Sequence, residues 1–171
     1  KELLGMSRAA RDLFDQAQRR LVAGLLKNPL LCERVARLRT IRGVGEIVAL
    51  TWALEVGEAA RFRTVGNAVS YCGLTGAEVS SAGKSQRTPI SKQRNKHLQA
   101  VLIEAAKVAP LWNQQIQEVH ERELGRGDAN TATLAVARKL VAYLLAVDRS
   151  GKNFTPRKAE REEEVAGMAT V

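Results

Sequence analysis

Ser80 and Ser81 stand directly before Ala82-Gly83-Lys84, and from Val79 to Ile103 the chain carries no acidic residue while Lys84, Arg87, Lys92, Arg94, Lys96 and His97 all fall there. A run of like charge is usually a solvated face. One that brackets a hydroxyl-rich loop and spares every carboxylate suits a phosphate-bearing partner. A serine attacking phosphorus must lose its proton, the charge on the nonbridging oxygens must be stabilised, and the leaving oxygen must be protonated. Arg87, Lys92 and Arg94 offer the charge stabilisation, whereas no general base stands out. His97 and His120 are the only histidines, and neither has a Ser or Asp at a diagnostic spacing. Taken alone, a loop serine is most often a turn former.

A second constellation lies upstream. Leu38-x-x-Ile41-x-Gly43-Val44-Gly45-x-x-x-Ala49 has the spacing of a helix-hairpin-helix motif, in which glycines let the backbone turn sharply and approach a phosphate with no Cβ in the way. Amides of the bend and of the following first helical turn would then face a phosphate oxygen. Arg37, Arg39 and Arg42 surround the bend, and Arg42 occupies a place where such hairpins usually carry Pro. Two glycines between helices also serve as a plain turn, and both readings stand at this point. Contacts of either constellation would hold the backbone of a duplex without reading its bases.

These residues need elements to position them, and the periodicity supplies helices. Leu3, Ala10, Leu13, Phe14, Ala17, Leu21 and Leu25 recur at three- and four-residue steps and predict a long amphipathic N-terminal helix, ended by Asn28-Pro29. A short helix over 30–39, an apolar one over 47–56 closed by Gly57, and one over 60–73 with Thr64 as N-cap follow. Residues 73–90 have no helical period and are rich in Ser, Gly and Thr, so they are expected to form a long loop. Ser91 reads as the N-cap of a helix to Ala109, stopped by Pro110. Two further helices are expected over 111–124 and 128–147, and residues beyond 148 have no packing face and are expected as a mobile tail. The fold class is therefore all-α, with three segments: an N-terminal helix or connector over 1–28, a helical domain over 29–148, and a tail over 149–171.

Aromatic residues make up only 4% of the chain, consistent with a helical core built of Ala and Leu. The net charge of +9 points to a polyanionic partner, nucleic acid first. A membrane partner is not expected, since no stretch approaches the ~20 apolar residues of a spanning helix, nor does 1–26 read as a signal peptide. Cys32 and Cys72 lack ligand or redox spacing and read as small core residues in a reducing cytoplasm. The chain starts inside an amphipathic pattern and reads as a piece of something longer.

The runs Ile41-Arg42-Gly43-Val44-Gly45, Arg61-Phe62, Tyr71-Cys72-Gly73-Leu74-Thr75, Ser80-Ser81-Ala82-Gly83-Lys84, Ile90-Ser91-Lys92-Gln93-Arg94-Asn95 and Ala137-Arg138-Lys139-Leu140 add a different kind of information. In order and spacing they resemble the C-terminal transposase domain of the bacterial insertion-sequence one-hundred-and-ten family, which is related to Piv-type DNA invertases. The resemblance implies a two-part recombinase. An upstream RuvC-like domain would hold magnesium on acidic residues, and this domain would carry a serine that joins covalently to DNA. Ser81 falls on the position of that serine, with Ser80 one register away. Several members are guided by an RNA encoded in the element. The chain departs from the family pattern at Ala82, Arg42 and Arg94, where the family has Gly, Pro and Gly.

The expected function is thus the DNA-binding, serine-bearing domain of a DNA transposase, acting at the bacterial nucleoid and inactive alone. Ser81 is its nucleophile, and Arg42, Gly43, Gly45, Lys84, Arg87, Lys92, Arg94, Asn95 and Lys96 grip double-stranded DNA. No metal site or cofactor is expected in these residues, since Asp12, Asp15 and the tail glutamates do not assemble one. Partners beyond DNA are a guide RNA and further copies of the chain, associating through residues 1–26. The alternatives are a non-catalytic helix-hairpin-helix module, and a truncated gene product with no remaining role.

Overall fold

A computed structural model describes residues 2–81, 84–90 and 94–156, the side chains of 76–81 and 84–90 excepted. Helix α1 (Glu2–Leu25) leads to α2 (Pro29–Leu38), α3 (Glu46–Val56) and α4 (Val65–Tyr71). Then come strands β1 (Gly76–Ser81) and β2 (Lys84–Ile90), followed by α5 (Lys96–Val108), α6 (Gln114–Leu124) and α7 (Ala129–Ser150). Short 3₁₀ turns at Ala59–Arg61 and Ala109–Leu111 precede α4 and α6.

The core is all-α. Helix α7 is its spine, packing against α2, α4, α5 and α6, while α3 lies between α2 and α5. Val136, Ala137, Leu140, Val141 and Leu144 of α7 are fully buried, as are Leu98 and Leu102 of α5 and Trp52 of α3. Although α7 is long and apolar enough to cross a bilayer by composition, that apolar face is the wall of this core. Each stop and start has a local cause. Asn28 caps α2 by accepting the Leu31 amide at 3.2 Å, with Pro29 at the first helical position where a missing N–H costs nothing. Thr64 caps α4 as the sequence predicts. Asp128 caps α7 by accepting the Thr131 amide at 2.8 Å, and that bond holds its carboxyl below the usual carboxylate range.

One network ties three helices together. The Asp148 carboxylate on α7 accepts Nε and Nη2 of Arg34 on α2, at 2.7 and 2.6 Å, and the indole N–H of Trp52 on α3 at 2.9 Å. Arg34 also donates to the Ala53 carbonyl at 3.2 Å, so guanidinium, carboxylate and indole are satisfied together.

Several expectations shift. Residues 73–90 contain a two-stranded antiparallel hairpin in place of a loop, with Ser81 paired to Lys84 and Ser80 to Ser85. Helix α5 starts at Lys96 with Asn95 as its cap, four residues later than a Ser91 cap would place it. The chain stays with the body past 148: α7 runs to Ser150, the Phe154 amide donates to Thr40 Oγ1 at 2.7 Å, and the Phe154 ring meets Tyr143 at 4.7 Å. Cys72 is buried, which pushes its thiol up to about 12, whereas Cys32 is exposed and is no core residue. The rest of the expected tail, 157–171, lies outside the described residues.

Helix α1 stands apart, with Val22 its one buried residue. Leu3, Phe14 and Leu21 are 82%, 67% and 64% exposed. At about 100° per residue these side chains share a stripe with Ala10 and Ala17, roughly 100° from Val22 and about 140° from Leu26, which touch the body.

Candidate nucleic-acid interface

The bend between α2 and α3 is anchored from inside. Ile41 and Leu38 are fully buried, Val44 nearly so, and the Val44 amide donates to the Ile41 carbonyl at 2.9 Å. That closes a β-turn with Arg42 and Gly43 as its central pair, and Gly43 has φ +95°. A turn with positive φ at its third residue favours Pro at the second and glycine at the third. Arg42 therefore replaces a rigidifying residue with a charged, exposed one.

The two glycines do different things. A Cβ on Gly43 would lie 2.7 Å from Ala109 Cβ and 2.9 Å from Ala109 Cα, so the missing side chain makes room for the protein's own 3₁₀ turn. The expectation that this glycine clears space for phosphate gave no part to this internal contact. Gly45 fits that expectation better: it is the N-cap of α3, supplies no side-chain cap, and faces open space. The first amides of α3 have no intrahelical acceptor and no capping oxygen competing for them. Around them Arg39 pairs with Glu46 at 3.5 Å and Arg37 with Glu33 at 3.8 Å. Arg42 has no ion pair among the described residues.

The serine hairpin is built from its root. Gly73 has φ +68°, and a Cβ there would collide with the Cβ of Arg94. Arg94 thus packs onto a glycine that leaves it space. The two chain segments entering and leaving the hairpin are pinned to each other and to the helices. The Asn95 amide donates to the Tyr71 carbonyl at 3.1 Å, Gln99 Nε2 to the Gly73 carbonyl at 2.7 Å, and Arg138 Nε to the Leu74 carbonyl at 2.8 Å. Asn95 Oδ1 accepts the Leu98 amide at 2.9 Å while its Nδ2 donates to Glu55 Oε2 at 2.6 Å. The Tyr71 hydroxyl donates to the Glu55 carbonyl at 2.9 Å, and the Arg61 guanidinium lies 4.4 Å from the Tyr71 ring centre.

Asn95, expected among the DNA-gripping residues, spends its amide on this root and on the α5 cap. Gln99, Arg138 and Glu55 are the positioning residues that sequence reading missed. Gln99 left a trace, as a polar residue in the turn of α5 that Leu98 and Leu102 bury, and Arg138 stood inside a recognised run without a role.

Ser81 ends β1, and its backbone register partner is Lys84, the first residue of β2; Glu78 is the partner of Arg87. Residues 82–83 and Lys92 lie outside the described residues. Lys96 is exposed on the first turn of α5, next to the root. The glycine bend meets the other end of the same helix, at Ala109. The hairpin root and the glycine bend are thus separated by the length of α5, 13 residues or about 20 Å. A groove between α3 and α5 runs from Gly45 and Val108 to Leu54 and Lys96, with Ala100 and Val101 common to both halves. Its floor is apolar, and Glu104 and Glu55 line it, so phosphate would sit at its ends and not along it.

The profile of a family described as transposase IS116/IS110/IS902 matches residues 35–121, which include the glycine bend, the hairpin, its root and α5. The chain is similar to a putative transposase of Sinorhizobium fredii, 28% identical over 161 residues covering 79% of this chain and 41% of that protein. It is similar to the transposase for insertion sequence element IS1328 of Yersinia enterocolitica, at 30% over 135 residues, 76% of this chain and 40% of the other. A probable family 20 transposase of Pseudomonas aeruginosa is 29% identical over 118 residues, 67% of this chain and 35% of that protein. The chain therefore spans about two fifths of the length of the curated relatives it matches.

Proposed function

Because the chain belongs to the IS116/IS110/IS902 transposase family, we propose that it is the DNA-gripping, serine-bearing domain of a recombinase. In this reading double-stranded DNA is held at both ends of α5. Arg42 and the open first turn of α3 take one phosphate cluster, and Lys96 with Lys84, Arg87, Lys92 and Arg94 takes the other. Ser81 Oγ attacks phosphorus, forming a phosphodiester to the protein as the bond to the leaving sugar oxygen breaks; the hydroxyl proton passes to a base and the leaving oxygen gains one. The observation that carries this reading is the hairpin root. Tyr71, Gly73 and Leu74 are held by Asn95, Gln99 and Arg138, which fixes the base of a strand ending at Ser81 beside a register partner, Lys84, of the charge a phosphate needs.

Among the described residues no three His, Cys, Asp or Glu side chains gather as metal ligands. The magnesium that the resemblance implies belongs to the upstream RuvC-like domain, and no step here is routed through it. A guide RNA would meet the same basic ends of α5.

The test has two arms. In the full-length protein a covalent protein–DNA adduct forms with Ser80→Ala and is absent with Ser81→Ala; an adduct that persists in the latter removes Ser81 from the role. With the isolated chain, the logarithm of DNA affinity falls linearly with the logarithm of salt, and Arg42→Ala and Lys96→Ala each flatten the slope by about 0.9. Salt-dependent binding without any adduct would leave a non-catalytic DNA-holding module.

Self-association through α1 belongs to the same proposal, since recombination joins two duplexes and the α1 stripe of Leu3, Phe14 and Leu21 is left exposed by the described residues. Sedimentation equilibrium is expected to show a dimer or higher species that Phe14→Lys with Leu21→Lys converts to monomer. A wild-type chain that stays monomeric at tens of micromolar, by order of magnitude for such pairings, would refute the α1 contact.

A further inference from the structure

We propose that Trp112 is a stacking platform for an unpaired nucleobase, set beside the bend that holds the neighbouring phosphate. The chain has two tryptophans, and they are used in opposite ways. Trp52 is fully buried with its N–H on Asp148, whereas Trp112 is 66% exposed and Leu111 beside it 77%. The Trp112 ring takes part in no aromatic or cation–π contact among the described residues.

The backbone beneath it is nonetheless tightly held. Ala109 is fully buried against Gly43, and the amides of Trp112 and Asn113 both donate to its carbonyl at 3.1 Å. Asn113, itself buried, caps α6 through the Ile116 amide at 3.3 Å and donates Nδ2 to the Arg42 carbonyl at 3.3 Å. One side chain thus links the segment carrying the indole to the residue carrying the unpaired guanidinium.

A large exposed apolar ring on a rigid base is a hallmark of a binding surface, because leaving it in water sacrifices burial that the core could use. Its chemistry names the occupant. The chain is strongly basic, the Arg42 side chain has no acidic partner among the described residues, and the Arg42 carbonyl is bonded to Asn113, the residue after the indole, so a phosphate held at Arg42 would belong to a nucleotide near the segment that carries the ring. Paired and stacked bases hide their faces, so a base that can lie on an indole is one that has left the duplex.

This inference rests on the DNA-gripping reading above, and the experiment separates the two. The folded chain is titrated with a fully paired DNA duplex and with the same duplex carrying a central unpaired loop, reading both fluorescence anisotropy of labelled DNA and tryptophan emission. The looped duplex is expected to bind more tightly and to quench the Trp112 emission, with Trp52 as an unquenched internal reference. Trp112→Ala should weaken the looped duplex about 5- to 150-fold, the range for loss of one stacked base, and change the paired duplex by less than about twofold. Trp112→Phe should recover most of the loss, because a phenyl ring also stacks. Binding that saturates with no change in emission, or an alanine variant equal to wild type on looped DNA, overturns the platform while leaving the grip intact. No binding of either DNA overturns both. An indole that becomes shielded from acrylamide as protein concentration rises, without DNA, assigns the surface to a protein contact and also overturns the proposal.

Discussion

Asp148→Ala will lower the unfolding free energy by about 3 kcal/mol, the low end of the cost of breaking a buried ion pair, and the melting temperature by roughly 6–12 °C for a chain of this size. The carboxylate is 5% exposed and accepts three hydrogen bonds; the Arg34 side chain is 22% exposed. Removing the carboxylate leaves the guanidinium with the Ala53 carbonyl alone and a fully buried indole N–H with no acceptor, and the partial exposure of Arg34 limits the damage by letting water in. Asp148→Asn keeps one acceptor oxygen and the shape, so its loss should fall between wild type and alanine. Urea denaturation followed by circular dichroism measures both. An alanine variant within 1 kcal/mol of wild type, by the scale of ordinary surface changes, would mean that the three helices are held by apolar packing alone.

The second large effect divides the two glycines of the bend. Gly43→Ala should cost about 2–4 kcal/mol, adding a disfavoured positive φ to an overpacked contact. The obstacle is Ala109 Cα, part of a fully buried backbone segment that cannot swing aside. Gly45→Ser should do the reverse for stability. Its φ of −80° suits any residue, the surrounding space is empty, and a serine hydroxyl can cap α3. Serine caps improve on glycine by only a few tenths of a kcal/mol. The same hydroxyl would occupy the amides proposed for phosphate, so DNA affinity should fall several-fold although the fold gains. Equal DNA affinity for Gly45→Ser and wild type, with the cap formed, would remove the first turn of α3 from the grip.

The helices were written plainly in the sequence where capping and periodicity agreed. Asn28-Pro29, Thr64, Gly57 and Pro110 each mark a boundary that the structure keeps within a residue or two. The hairpin was hidden for a physical reason. Gly76–Ser81 and Lys84–Ile90 contain only Val79 and Ile90 as large apolar residues, and Pro89 argues against a strand, so neither alternation nor propensity betrays the pairing. The start of α5 was ambiguous because Ser91 and Asn95 are both good caps. The choice of Asn95 is made by Tyr71 and Glu55, contacts 24 and 40 residues away. Gly43 shows the same limit. The need for glycine was legible, but its reason sits on Ala109, 66 positions further on. The family resemblance pointed to Ser81 without the fold. How far the root of its hairpin lies from the bend had to come from the packing around α5.

The grip of Gln99 and Arg138 on the carbonyls of Gly73 and Leu74 has one more consequence. Two core helices hold the arm at its shoulder, so its reach is decoupled from the interior. Lengthening both strands by two residues would carry the tip outward by about 7 Å while leaving every shoulder bond in place. If the tip meets DNA as proposed, arm length alone would then set which stretch of polymer it reaches, with no repacking of the helices beneath.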